Sequence, residues 1–175
     1  MNVQASCMDA ENLEFPDATF DSVLCGFALF FFTALQAALT EIHRVLKPQG
    51  RLAVSTWGAE DERWDWYDEL LATHGASVKF RTQMLDQRQE LEAALQLAGF
   101  SDIQIMTEGI DIAFVDEAEW WAAQWATSGR AGLERLTPEA LKRFMAEAFE
   151  KLQAQKQPDG LHYLYRAHFG LATKV

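Results

Sequence analysis

A chain of 175 residues allows one domain with a proper core, and an apolar content of 49% is ordinary for a globular protein. With 26 acidic side chains against 15 basic ones, the net charge of −11 repels phosphate backbones and anionic lipid, so nucleic acid and membranes are excluded from the expected partners. The longest apolar run, Val23–Phe32, is too short for a bilayer span, no basic region precedes an apolar stretch as in a secretory signal, and Cys7 and Cys25 form no C-x-x-C pair; the expectation is a reduced, cytoplasmic protein.

Val3–Met8 reads as a short strand of weak alternation, and Asp9–Thr19 as a polar turn region punctuated by Pro16-Asp17. Phe20–Phe27 is apolar almost without alternation, which predicts a strand covered on both faces. Thr33 with Gln36 makes a capping box for a helix whose stripe is Leu35, Ala38, Leu39, Ile42, Val45 and Leu46. Pro48 and Gly50 in "LKPQG" stop that helix, and Arg51–Trp57 is the next strand. Two strands joined by a helix-length crossover argue for parallel pairing with a right-handed connection.

Residues 58–75, rich in acid and tryptophan, continue as a helix. Asp86-x-x-Gln89 opens another, with Leu91, Ala94, Leu95 and Ala98 on one face and Gly99 at its close. "FSDIQIMTEGIDIAF" supplies one or two strand segments, and Asp116-x-x-Glu119 caps a helix carrying Trp120, Trp121 and Trp125. Thr137-Pro138 starts the clearest helix, since Leu141, Phe144, Met145, Ala148, Phe149 and Leu152 recur at three and four. After Pro158-Asp159-Gly160, the residues Tyr163, Tyr165, Ala167, Phe169 and Leu171 share one face of a terminal strand. The expected architecture is an α/β sheet in a single domain over 1–175, with a helical insertion at about 116–157.

"DAENLEFPDATFDSVLCGFAL" followed by "ALTEIHRVLKPQGRLAVSTW" resembles the middle of a class I S-adenosylmethionine-dependent methyltransferase, of the broad group that includes quinone and other small-molecule methyltransferases. The matching positions are Asp9-Ala10, Leu13, Phe15-Pro16, Phe20-Asp21, Glu41, Arg44-Val45-Leu46-Lys47-Pro48 and Gly50. Glu14 stands where the family usually has proline, and Gln49 where it usually has the first glycine. "ELEAALQLAGFSDIQI" resembles the family's next helix and strand, and the Trp-rich and Leu141–Leu152 helices resemble its insertion before the last strand. The resemblance implies an incomplete Rossmann-like sheet, with counterparts of the family's strands 4-5-7-6 and Val3–Met8 in the place of strand 3.

The family begins with a glycine-rich loop around the cofactor's methionine and ribose and a second strand ending in an acid for the ribose hydroxyls. The ten glycines here include no G-x-G pair. The expectation is therefore a chain truncated at its N-terminal half, binding S-adenosylmethionine weakly or not at all by itself.

By the resemblance, Asp9 accepts from the adenine amino group, the Ala10 backbone meets the ring, and Cys25 and Gly26 end a strand near the methionine. Bland readings stand beside these. Asp9 caps a turn, and Cys25 packs the core with no sign of a lowered pKa. Phe27, Phe30, Phe31 and Phe32 read as an apolar substrate wall or as interface and core; Trp57 edges a pocket, and Trp121, with Trp120 and Trp125, packs the inserted helix in a region that the family uses as a substrate lid. Glu41 and Arg44, three apart on one helix, read as a structural pair. The histidines show no metal signature, and no catalytic base is identified. The functions in view are methyl transfer to an apolar small molecule or, alternatively, a noncatalytic dimerisation or interaction module. The outer edge of Phe20–Phe27, unpaired without the family's first strand, predicts a homodimer through that side.

Overall fold

The computed structural model describes residues 3–76 and 85–175. Among them are β1 (Phe20–Gly26), α1 (Leu35–Val45), β2 (Leu46–Trp57), α2 (Trp66–Thr73), α3 (Arg88–Leu97), β3 (Phe100–Phe114), α4 (Glu117–Ala126), α5 (Arg130–Leu133), α6 (Pro138–Gln155) and β4 (Leu161–Lys174). The strands form one sheet in the order β1-β2-β4-β3. β1 and β2 are parallel across the α1 crossover, with Leu24 opposite Ala53 and Cys25 opposite Val54. β4 returns antiparallel to β2, with Ala53 opposite Leu171. This is the 4-5-7-6 arrangement that the resemblance implied.

The chain divides into two compact units. The first takes the described residues of 1–59, 81–108 and 166–175; the second takes those of 60–80 and 109–165. Each has its own core. In the first, α1 and α3 bury Leu35, Leu39, Ile42, Leu91 and Leu95 against Leu52, Val54, Ile105 and Ala172 of the sheet. Leu39 and Leu95 are fully enclosed; truncating such a leucine to alanine costs about 2–5 kcal/mol. In the second, Trp64, Trp120, Phe144, Leu152 and Leu161 form the centre, and Trp64 stacks on Trp120 at 5.9 Å.

Side-chain caps mark the starts of α4 and α6. Asp116 accepts from the Glu119 amide, and Glu119 Oε2 reaches back to the Val115 amide, closing a capping box at α4. Thr137 Oγ1 accepts from the Ala140 amide ahead of the proline that starts α6.

Several expectations need correction. Thr33 does not cap α1, whose N-cap is Ala34; Glu11 Oε1 takes the Ala34 amide instead. Asp86 does not cap α3, where Gln87 holds that position, and the Asp86 carbonyl accepts from His168 Nε2. Val3–Met8 is not a strand but exposed chain without sheet pairing. The segment expected to continue as one helix is a 3-10 turn, Glu62–Trp64, followed by α2. β1 is covered on one face only: Val23 and Cys25 pack on the first core, whereas Leu24 is 83% exposed. Its near-continuous apolar run records a strand suited to burial, and the helices that pack here, α1 and α3, supply one side.

β2 begins earlier than expected, at Leu46, and passes a tight corner. A Cβ on Gly50 would lie 2.7 Å from the Lys47 carbonyl oxygen, so only glycine fits. Beside it Gln49 has φ +64°, a left-handed backbone that costs a side-chain-bearing residue about 1–2 kcal/mol. Gln49→Gly is expected to raise unfolding stability by about 1 kcal/mol, read as a shift in the urea midpoint at unchanged slope.

In the second unit His162 Nδ1 lies 2.7 Å from Asp111 Oδ2, and Nε2 stands 3.1 Å from Asp159 Oδ1, within ion-pair range but without hydrogen-bond alignment. The hydrogen bond to Asp111 and the contact with Asp159 raise its pKa above the ordinary 6.5. The stability this contributes is fully present below the unfolded pKa and lost as pH rises through the folded one. A stability profile between pH 5 and 9 should therefore fall on the alkaline side in the native chain, and His162→Gln should flatten that fall.

Candidate functional site

Asp9 and Ala10 sit in the loop that leads into β1, and the loop is fastened by α1. Asp9 Oδ1 accepts the Glu11 amide at 2.9 Å, and the Asp9 carbonyl accepts the Asn12 amide. Arg44 does most of the fastening. Its Nε and Nη2 grip the two oxygens of Glu41, Nη2 also donates to the Leu13 carbonyl, and Nη1 donates to the Phe15 carbonyl and to Asp17. Glu41 Oε2 takes the Leu13 amide at 2.8 Å. The Glu41–Arg44 pair read from the sequence as structural is thus the anchor of the loop that carries Asp9. What the i,i+3 spacing did not reveal is the reach of both side chains back across about thirty residues.

Hydrogen bonds from Arg44 and the Leu13 amide pull the Glu41 carboxyl from its ordinary 4.5 down to about 2. A carboxylate with a depressed pKa stabilises the fold above its unfolded pKa, and that contribution disappears as pH falls through the folded value. Between pH 5 and 2 the native chain should therefore lose this stability progressively, and Glu41→Gln should show a shallower loss. Arg44→Ala should speed amide hydrogen exchange at Leu13 well before it affects the core of α1.

At the carboxyl ends of the parallel strands the sequence-predicted residues separate by role. Cys25 points its side chain into the first core, and burial pushes its thiol pKa up, so it offers no thiolate nucleophile. Gly26 follows in the open: a Cβ there would meet only Ser55 Oγ, at 3.7 Å, an ordinary contact. Packing leaves room at residue 26 for something to approach the backbone. Phe27 turns the chain off β1 with φ +50°, and its amide donates to both the carbonyl and Oγ of Ser55. Its ring lies 4.6 Å from Trp57 and 6.4 Å edge-on from Phe169. Ser55 and Phe169 complete this aromatic strand end and were not singled out in the sequence; the signal was parity, since both belong to the faces that carry Ala53 and Leu171.

The remaining phenylalanines divide. Phe30 and Phe31 pack ring to ring at 4.5 Å in a 3-10 turn, with Phe31 72% exposed, while Phe32 leans on the first core. Trp121 belongs to the second unit, packed against Trp120, Trp125, Phe144 and Phe149. A small cavity of about 200 Å³ in that unit is lined by Arg63, Trp64, Gln155 and His162. Beside it Asp61, nearly enclosed, takes Arg63 and the Leu164 amide and is held at a pKa of about 2, chiefly by the Arg63 guanidinium.

Residues 1–54 match the family described as methyltransferase domain. The uncharacterized methyltransferase YcgJ of Bacillus subtilis is 36% identical over 104 residues, which are 59% of this chain and 41% of that protein. The ubiquinone/menaquinone biosynthesis C-methyltransferase UbiE of Enterobacter sp. is 31% identical over 127 residues, 62% of this chain and 51% of that one. The chain spans about half the length of the curated relatives it matches. Among solved structures, MccD superimposes with a TM-score of 0.56 at 21% identity over 96% of this chain and 66% of its own, and Bacillus subtilis YcgJ with 0.55 at 21% over 94% and 68%. These structural likenesses establish the fold.

Proposed function

We propose that this chain, which belongs to the class I S-adenosylmethionine-dependent methyltransferase family, contributes the adenine-side loop and the strand-end part of a methyl-transfer site for an apolar small molecule. The observation that carries the reading is Gly26, which leaves open backbone at the carboxyl end of a parallel strand, where open α/β sheets place ligands. The Asp9-Ala10 loop, held by Arg44 and Glu41, is the second element, and the Phe27–Trp57 pair offers an aromatic wall beside it.

The residues fit part of the cofactor. Asp9, Ala10 and Gly26 suit the adenine and the strand-end approach, whereas no G-x-G loop within the 175 residues can wrap methionine and ribose. In this reading residues 1–175 do not supply those contacts. S-adenosylmethionine supplies a methyl group already activated on a sulfonium, so the protein's work is alignment and exclusion of water. In this chain Arg44 and Glu41 fix the loop, the Ser55 hydroxyl and carbonyl fix the Phe27 amide, and the Phe27 and Trp57 rings present a dry surface. The acceptor suggested by that surface, and by the name of the UbiE relatives, is an aromatic ring of quinone type.

Calorimetric titration of residues 1–175 with S-adenosylmethionine should give a dissociation constant of about 1 mM or weaker, because contacts to one end of a ligand do not offset the cost of ordering the rest. A low-micromolar value at one ligand per chain would overturn the division of the site. With the glycine-rich half present, Gly26→Val should lower methyl transfer to a quinol acceptor at least tenfold while leaving the unfolding midpoint within about 2 °C. Unchanged transfer would remove Gly26 from the site.

A further inference from the structure

The imidazole of His162, near the start of β4, stands between two carboxylates on different elements. Nδ1 makes an aligned hydrogen bond of 2.7 Å with Asp111 Oδ2 of β3, whereas Nε2 faces Asp159 Oδ1, on the turn between α6 and β4, at 3.1 Å without alignment. The ring is 16% exposed, and the backbone of the residue is fixed from another side, since its carbonyl accepts from Trp64 Nε1 at 3.0 Å. Arg63 stands nearby but is engaged by Asp61. The turn is pinned at both ends. Lys156 pairs with Glu117 ahead of it, and a Cβ on Gly160 would lie 2.3 Å from the Phe114 carbonyl oxygen. Between those points Gln157 and Gly160 exchange backbone hydrogen bonds of 2.9 and 3.1 Å. Gln157 also lines, with Trp64, Leu161 and His162, the cavity of about 200 Å³.

We propose that His162 is a proton-operated latch on this turn: charged, it holds Asp159 and keeps Gln157 in the cavity wall; neutral, it lets 157–159 swing out and opens that side of the cavity. A charged imidazole has an N–H for each carboxylate. A neutral one keeps a single proton, and the shorter, aligned contact places it on Nδ1, toward Asp111. Nε2 then turns a lone pair on the Asp159 carboxylate at 3.1 Å, and attraction becomes repulsion. Asp159 is the partner able to leave, being 73% exposed on a turn, while Asp111 sits within a strand. The two carboxylates raise the pKa of His162 above 6.5, and His162 lowers that of Asp159. The latch is therefore closed at acid pH and opens as pH rises through the titration of the ring. It lies wholly within the second unit and does not rest on methyl transfer.

Hydrogen exchange at the Gln157 and Gly160 amides, corrected for its intrinsic pH dependence, tests this on the whole 175-residue chain. Protection should fall about fivefold as pH rises through the His162 titration, a modest step because the Asp159 carboxylate is exposed. Ring nitrogen shifts in the same sample follow that titration and should show the neutral ring protonated on Nδ1. Asp159→Asn should abolish the step at both amides while His162 still titrates. Asp111→Asn should keep the step and move it to lower pH together with the ring. Protection unchanged across the titration overturns the proposal. So does a step that survives Asp159→Asn, or a neutral ring with its proton on Nε2.

Discussion

Arg44 spends its whole guanidinium on one task. Of its five hydrogen bonds, three tie the loop before β1 to the helix after it, and the bidentate contact with Glu41 on the same helix fixes the plane in which those three are made. A loop rich in acid has little apolar surface of its own with which to hold a shape. Its conformation comes instead from carbonyl groups of Leu13 and Phe15 that would otherwise face water. Glu11 adds a further tie through the Ala34 amide, so the loop is held at both ends of the helix. Lysine at 44, with three donors on a single nitrogen, cannot make these five contacts. The position of Asp9 and Ala10 therefore depends on a residue thirty-five positions away that touches neither.

The order of strands and helices was legible in the sequence because it rests on periodicity and punctuation. The α1 stripe, the Thr137-Pro138 start and the Asp116-x-x-Glu119 box all act over a turn or less, and each held in the structure. Failures came where two local signals competed. Thr33 and Asp86 are good caps by type, yet the adjacent Ala34 and Gln87 have the helix-entry geometry, because Glu11 and His168 claim backbone groups at those entries from far along the chain. The one-sided covering of β1 was illegible for a different reason. A run such as Val23-Leu24-Cys25 states that both faces tolerate burial; which face is covered depends on helices elsewhere. In the candidate site, the Phe27 and Trp57 rings, read separately from the sequence, meet in the structure, whereas Ser55 was legible only as strand parity, because serine on a strand is common and its bonds depend on the turn at Phe27.

Two non-glycine residues with left-handed backbone show how strain can have opposite meanings. Gln49 turns a corner within β2, and glycine would do the same work at lower cost. Phe27 bears a similar conformation at the strand end, and there the side chain is the point: the turn aims its ring at Trp57 while its amide stays satisfied by Ser55. The left-handed backbone at Phe27 therefore serves the placing of a ring, whereas at Gln49 it serves only the course of the chain.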